Sequence, residues 1–218
     1  MTDDDYPFDL AVTDKLLTTT RSVRKRLDLD RPVPRKVILD CINIAQQAPT
    51  GGNKQKWHWL VVTDPAKKLL IAEVYRDVSQ DYFASQDLSE ARDPQQSRRV
   101  RTSSSYLRDN LEKVPAMVIP CVAGRPEDLA FGNQTSFWGS IIPATWSFML
   151  ALRSRGLGSV YTTLHTHDER RVAEALGIPA SFTQTALIPL AYTKGTDFKA
   201  VARPPVEEIV SFDTWSLS

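Results

Sequence analysis

The distribution of apolar and polar positions predicts helices and strands that alternate along the chain. Apolar residues recurring every three or four positions predict helices, at 8–19, 34–48, 65–78, 134–155 and 169–176. Short runs rich in aromatic and β-branched residues predict strands, at 57–62, 115–122, 160–163 and 185–192. Four strands interleaved with helices indicate an α+β or α/β sheet wrapped by helices.

Two prolines bear on the limits of the predicted helices. Pro34 in a first helical turn costs no backbone hydrogen bond, whereas Pro143 is expected to kink the longest helix or to mark its true start. We expect a single domain over residues 1–218. Within it, the polar stretch 85–110 is expected to be a surface insertion or lid that ends in a helix, and 195–218 an extended tail.

Composition and charge narrow the function classes. Hydrophobic residues make up 42% and charged residues 24%, as in ordinary globular proteins. The net charge is only +1, whereas proteins that bind a nucleic-acid duplex usually carry a clear basic excess, so we do not expect such a duplex as the main partner. The acidic start does not resemble a signal peptide, and the apolar region 137–152 is too interrupted for a membrane span. Two isolated cysteines fit a reducing compartment, so we expect a cytoplasmic protein.

Several motifs that would carry familiar chemistry are missing from the sequence. It contains no GxxxxGK[ST] phosphate loop and no GxSxG nucleophile elbow, and Tyr161 stands where a dinucleotide fingerprint needs its third glycine. His165 and His167 could share one side of a strand, but no carboxylate or cysteine nearby completes a ligand set. We therefore predict no metal site, and these motifs give no candidate for a catalytic side chain.

Two local patterns are compatible with a phosphorylated planar ligand. In the run 21–26, Arg21 and Arg24 flank a serine, so that guanidinium groups and a hydroxyl can converge on phosphate oxygens. In the run 48–55, two glycines allow close backbone approach, while Asn and Gln amides offer donors and acceptors. Taken separately, the first pattern also fits a solvated helix end and the second an ordinary turn.

Together, these patterns resemble the FMN-dependent nitroreductase family. Four blocks in the family's order carry the resemblance: RSVRKR at 21–26, APTGGNKQKW at 48–57, GLGSVYTT at 156–163 followed by LGIP at 176–179, and ARPPVEEIV at 202–210. Three positions depart from the family pattern, since Lys56 replaces a proline, Thr50 a serine and Leu27 an aromatic residue. None of these changes removes an expected phosphate contact.

The resemblance implies an α+β homodimer with a mainly antiparallel central sheet, a long central helix and two FMN sites shared between subunits. The implied contacts to the phosphate and ribityl chain come from Arg21, Ser22, Val23, Arg24 and Arg203. The partner subunit would supply Pro49, Thr50, Gly51, Gly52, Asn53 and Gln55. Thr162 and Thr163 would line the ring, with one backbone N–H meeting flavin N5.

The implied activity is a ping-pong transfer of hydride from NADH or NADPH through flavin N5 to a nitroaromatic or quinone-like acceptor, with protons from water. Phe137, Trp138 and the stretch 85–110 are candidates for the wall and lid of the acceptor pocket, although core packing also explains the aromatic pair. Other flavin chemistry on the same fold, such as dehalogenation or oxidation of a metabolite, stays open. So do a non-catalytic flavin-binding protein and an RNA-binding module that uses the basic stretch 98–108.

Overall fold

The computed structural model describes residues 7–85 and 93–215, which form two compact units. The smaller unit holds the described residues before 21 and after 196. It contains α1 (Leu10–Thr19) and a single 3₁₀ turn at Val206–Glu208. The carboxylate of Asp9 begins α1 by accepting a hydrogen bond from the Val12 N–H at 2.9 Å, as an N-cap does.

The larger unit, residues 21–196, is built on an antiparallel sheet. Its strands are β1 (Trp57–Val62), β2 (Ala116–Ala123), β3 (Leu157–Ser159), β4 (Phe182–Gln184) and β5 (Ile188–Tyr192). They lie in the order β1-β2-β5-β3. β5 pairs with the first half of β2, and β4 pairs with the second half. Trp57 stands opposite Val122 in the first pair and Ala116 opposite Leu190 in the second. Every pair is antiparallel, which decides for α+β over α/β.

Five helices surround this sheet: α2 (Arg35–Ala45), α3 (Pro65–Ser85), α4 (Pro94–Asn110), α5 (Phe131–Ser154) and α6 (Glu169–Leu176). The core lies where α2 and α5 meet the sheet. Phe148 is fully buried there and packs on the Trp59 ring at a centroid distance of 5.4 Å. Burying a large apolar side chain such as this one stabilises the fold by about 1.5–3 kcal/mol. α5 contributes Phe148, Met149, Ala151 and Leu152 to this core, more residues than any other helix, and is therefore the central helix of the unit.

Several predicted boundaries were wrong. The helix predicted to end near Val78 continues to Ser85. The predicted strand 160–163 is not one: β3 begins directly after Gly156, which has a φ of 77°, and ends at Ser159, and within 160–163 only an isolated bridge joins Thr162 to Leu187. Of the predicted strand 185–192, only Ile188–Tyr192 forms a strand, β5, and β4 (Phe182–Gln184) lies just before the predicted range, which gives five strands among the described residues where four were expected.

The longest helix also differs from the expectation at Pro143. Pro143 lies inside α5, which runs without interruption from Phe131 and therefore starts three residues before the predicted Gln134. Proline cannot donate to the carbonyl of the residue four positions earlier, and its ring crowds that carbonyl. That residue is Gly139, which has no side chain of its own to add to the crowding. None of the described helices is long and apolar enough to cross a bilayer.

Candidate functional site

The arginine segment 21–26 lies directly beside β3. The Val23 N–H donates to the Ser159 carbonyl at 2.9 Å, and Ser22 forms a parallel bridge with Ser159. Gly158 makes this approach possible, because a Cβ at that position would stand 2.8 Å from the Cβ of Val23. Two of the four sequence blocks are thereby joined although about 130 residues separate them in the sequence.

A cavity of about 430 Å³, here called the Arg24 cavity, opens where these two blocks meet α3 and α4. Residues 160–164 supply its backbone wall, and α3 supplies aromatic side chains. From α4 come five residues that share one helical face: Gln96, Ser97, Val100, Arg101 and Ser104. The remaining lining residues are Arg24, Tyr75, Tyr82, Phe83, Val160, Tyr161, Thr162, Thr163, Leu164 and His167. Its volume falls in the usual range of small-molecule sites.

Arg24 is a half-buried cation that makes no ion pair with any residue in the described part of the chain. Its guanidinium donates to the Ser103 hydroxyl of α4 at 3.2 Å. Burial lowers the pKa of Arg24, the nearby Tyr75 acts in the opposite direction, and the positive charge of Arg21 lowers it further. Two neighbouring cations in a partly desolvated place are stabilised by a bound anion, so the site fits a phosphate group.

Tyr75 links α3 to the loop that follows β3. It is 3% exposed, and its hydroxyl lies 3.1 Å from the hydroxyl of Thr162. Burial raises the pKa of Tyr75, which therefore stays protonated and keeps a proton to share with Thr162. The backbone of Thr162 is held too, because its N–H donates to the Leu187 carbonyl at 3.1 Å and its carbonyl accepts from the Leu187 N–H at 2.8 Å.

The glycine loop forms a second cavity, of about 470 Å³, against the first turns of α5. The Gly51 N–H donates to the Ser140 hydroxyl at 3.0 Å, which docks the loop on the helix. Gly52, Asn53 and Gln55 all have positive φ values, of 61°, 54° and 47°. For a glutamine this backbone conformation is unusual, and such strain concentrates at ligand sites. We call this space the Gly51 cavity.

Seven of the thirteen predicted site residues line one of these two cavities. The Arg24 cavity holds Arg24, Thr162 and Thr163, whereas the Gly51 cavity holds Thr50, Gly51, Gly52 and Gln55. The two cavities have no lining residue in common. Pro49 and Asn53 are exposed residues of the glycine loop that line neither cavity, and Arg21 and Ser22 line neither cavity as well.

Other predicted residues take positions that limit their roles. The Val23 side chain is 4% exposed and its N–H is already bonded, so only its carbonyl is left for a ligand. Arg203 is exposed and belongs to the smaller unit, and its phosphate contact stays a prediction. Phe137 lines the Gly51 cavity with Trp138 edge-on to it at 5.1 Å, so this pair is not a wall of the Arg24 cavity.

Sequence reasoning missed two polar residues of the site, Ser103 and Tyr75. Ser103 is 79 positions from its partner Arg24 in the sequence, and Tyr75 is 87 positions from Thr162, so no local sequence pattern indicates either contact. The stretch 85–110 was expected to carry a helix near its end, and α4 is that helix, while residues 86–92 of the stretch lie outside the described residues. Among the described residues no group of three His, Cys, Asp or Glu side chains could hold a metal ion.

A sequence model of the Nitroreductase family matches residues 17–192, most of the chain. The chain belongs to this family. A relative from Nocardioides sp., named 4-nitrobenzoate reductase, is 27% identical over 230 aligned positions, which cover 91% of this chain and 89% of the relative. The match runs through both cavities, since residues 17–192 include every residue that lines them.

Solved structures show the same fold. A crystal structure of iodotyrosine deiodinase bound to FMN and 3-iodo-L-tyrosine has a TM-score of 0.71 at 23% identity, covering 93% of this chain and 99% of that one. The FMN-dependent nitroreductase NfnB from Mycobacterium smegmatis, crystallised with NADPH, has a TM-score of 0.68 at 20% identity, covering 94% and 100%. The predicted family and nitroreductase-like α+β fold are confirmed.

Proposed function

We propose that this chain is an FMN-dependent oxidoreductase that uses NADH or NADPH to reduce an electron-poor acceptor such as a nitroaromatic or a quinone. When bound, FMN supplies a two-electron carrier that takes hydride from the nicotinamide and passes the electrons to the acceptor, with protons from water. The observation that carries the proposal is the position of Arg24. This residue is half-buried, has no carboxylate partner among the described residues and lines the Arg24 cavity. Family membership and the relative named 4-nitrobenzoate reductase support it.

In this proposal Arg24, which lines its cavity, and Arg21, which lies in the same arginine segment, hold the phosphate. The Thr162 N–H is already donated to Leu187, so the donor toward N5 is assigned to the Thr163 N–H. A donor there stabilises negative charge that develops on the reduced ring. No protein acid or base is needed.

The same proposal includes a homodimer, because one chain leaves the two halves of the site in separate cavities. A partner's Gly51 loop placed beside the Arg24 cavity would complete it. The helices α2 and α5 offer an apolar surface for such pairing, since Leu39 is 51%, Ile142 42% and Trp146 41% exposed. Exposed large apolar side chains that cluster on packed helices are typical of subunit interfaces.

The decisive experiment is an absorbance spectrum of the purified protein under nitrogen, before and after addition of NADPH and then of a nitroaromatic acceptor. We expect the oxidised flavin band near 450 nm, as for flavins in general, to bleach with NADPH and to return with the acceptor. A flavin band that neither NADH nor NADPH bleaches would favour the non-catalytic flavin-binding protein. Absence of bound flavin after reconstitution with FMN would contradict the proposal.

A second candidate is reductive dehalogenation on the same fold. It is favoured by the structural likeness to iodotyrosine deiodinase, at a TM-score of 0.71. The two candidates are separated by incubating the reduced protein with 3-iodotyrosine and with a nitroaromatic compound in parallel. Release of iodide without reduction of the nitro compound would replace the first candidate by the second.

A further inference from the structure

Arg101 is a second cation of the Arg24 cavity, and of the four α4 arginines it alone lines that cavity. Arg98 and Arg99 are exposed, and Arg108, which also stands over the Phe83 ring, forms an ion pair with Asp109. Its guanidinium donates to the Phe83 carbonyl at 2.5 Å and stands 5.9 Å from the centre of the Phe83 ring. Because a guanidinium has five N–H donors, this bond leaves most of them available.

The surroundings of Arg101 favour an anion with an aromatic body. Among the described residues, the cavity lining includes the cations Arg24 and Arg101 but no carboxylate. Tyr82 and Phe83 lie on the same side as Arg101 and supply aromatic surface. Since Arg24 is assigned to the phosphate, Arg101 is the cation left for a second ligand that enters from the α4 side.

We propose that Arg101 is a specificity-determining residue that selects acceptors carrying a carboxylate on the aromatic ring. This inference rests on the proposed function, because it assigns the acceptor of that same site. The guanidinium would pair with the carboxylate while Tyr82 and Phe83 contact the ring, which places the reducible group toward the Thr162–Thr163 wall. Charge-assisted pairs between arginine and carboxylate are among the strong hydrogen bonds of proteins.

Arg101 also has a structural role that the test must separate from selection. The Phe83 carbonyl belongs to the last turn of α3, where carbonyls lack helical partners, so Arg101 caps that helix. Loss of a cap affects all acceptors alike. Loss of a carboxylate contact affects only charged acceptors, and comparison of a matched pair of ligands distinguishes the two.

The experiment compares 4-nitrobenzoate with the neutral 4-nitrobenzamide in the FMN-loaded protein. For Arg101→Ala we expect the ratio of kcat/KM for the acid to that for the amide to fall about tenfold or more. Arg101→Lys should keep part of the preference, and Arg98→Ala, an exposed arginine on the same helix, should keep all of it. The ratio of kcat/KM for NADPH to that for NADH should not change. An equal fall for both acceptors, or a changed donor ratio, would overturn the assignment.

A binding measurement tests the assignment without turnover. Calorimetric titration of the FMN-loaded protein with benzoate and benzamide should show benzoate bound about tenfold more weakly by Arg101→Ala, with benzamide binding unchanged. Benzoate binding that is indifferent to this substitution would contradict the inference even if the protein reduces nitro compounds. Conversely, an Arg101-dependent preference for benzoate in a protein that NAD(P)H cannot reduce would support the anion site and contradict the proposed activity.

Discussion

The hydroxyl of Tyr75 on α3 lies 3.1 Å from the hydroxyl of Thr162, in the loop that follows β3. This bond fixes a side chain of the candidate flavin wall from an element 87 positions away. The Tyr75 phenol also lies near Arg24. Burial raises the pKa of this phenol, and the positive charge of Arg24 acts against that rise. The loop that follows β3 and Arg24 are therefore coupled through one buried phenol.

Tyr75→Phe should weaken the site while leaving its shape intact. We expect the free energy of unfolding to fall by about 1 kcal/mol, because the half-buried hydroxyl of Thr162 loses its partner. FMN binding should weaken by a few fold, as measured by fluorescence titration. The matched control is Tyr82→Phe, since Tyr82 lines the same cavity but is 43% exposed, and it should change stability by less than about 0.5 kcal/mol. Equal effects of both variants would contradict a specific role for the Tyr75 hydroxyl.

Gly158→Ala tests the close approach of the arginine segment to β3. The new Cβ would stand 2.8 Å from side-chain atoms of Val23 and Thr193, both β-branched and unable to move aside easily. We expect a loss of about 1–3 kcal/mol in unfolding free energy and weaker retention of FMN. Gly132→Ala is the control, because a Cβ there meets no atom within 4 Å. If thermal denaturation and flavin retention are the same in both variants, the segment does not depend on this contact.

His165 should make the protein less stable in mild acid. Burial lowers the pKa of His165 to about 4, and neither ring nitrogen has a partner among the described residues. In the unfolded chain the pKa returns to about 6.5. Between these two values the unfolded state binds a proton that the folded state does not, so the unfolding free energy falls as the pH falls, by up to about 3 kcal/mol. Above pH 6.5 this effect is absent.

Urea unfolding at pH 6.5 and pH 4.5 measures this effect. His165→Leu should show a smaller difference between the two pH values than the natural chain, because it removes the titrating group. His58→Gln, at an exposed position in β1, should keep the full difference. An unchanged pH dependence in His165→Leu would show that other groups cause the acid sensitivity.

The sequence predicted best those features that local spacing determines. The β1 strand at 57–62 and the α6 helix ending at Leu176 before Gly177 were found at their predicted limits, because periodicity and a left-handed glycine are local signals. The short strand β4 (Phe182–Gln184), just before the predicted strand 185–192, was missed. Its pairing with one end of β2, while β5 pairs with the other end, defines it as a strand, and that pairing is not local.

The candidate site shows the same division. Arg24, Thr162 and the glycine loop were predicted as site residues from their motifs, and the structure brings the first two together in one cavity. Ser103 and Tyr75 were missed, since each meets its partner only through the folding of α3 and α4 over the sheet. Arg203 lies in the smaller unit, so its role depends on how the tail reaches a flavin site, and that stays a prediction.

The central claim is that Arg24 holds the phosphate of a flavin mononucleotide. The most direct test is the pair of dissociation constants for FMN and for riboflavin, which lacks the phosphate, in the natural chain, in Arg24→Ala and in Lys25→Ala, a neighbouring exposed cation. We predict that Arg24→Ala weakens FMN binding at least about tenfold and leaves riboflavin binding unchanged, whereas Lys25→Ala alters neither by more than a few fold. Equal weakening of both flavins by Arg24→Ala, or no weakening of either, would contradict the account.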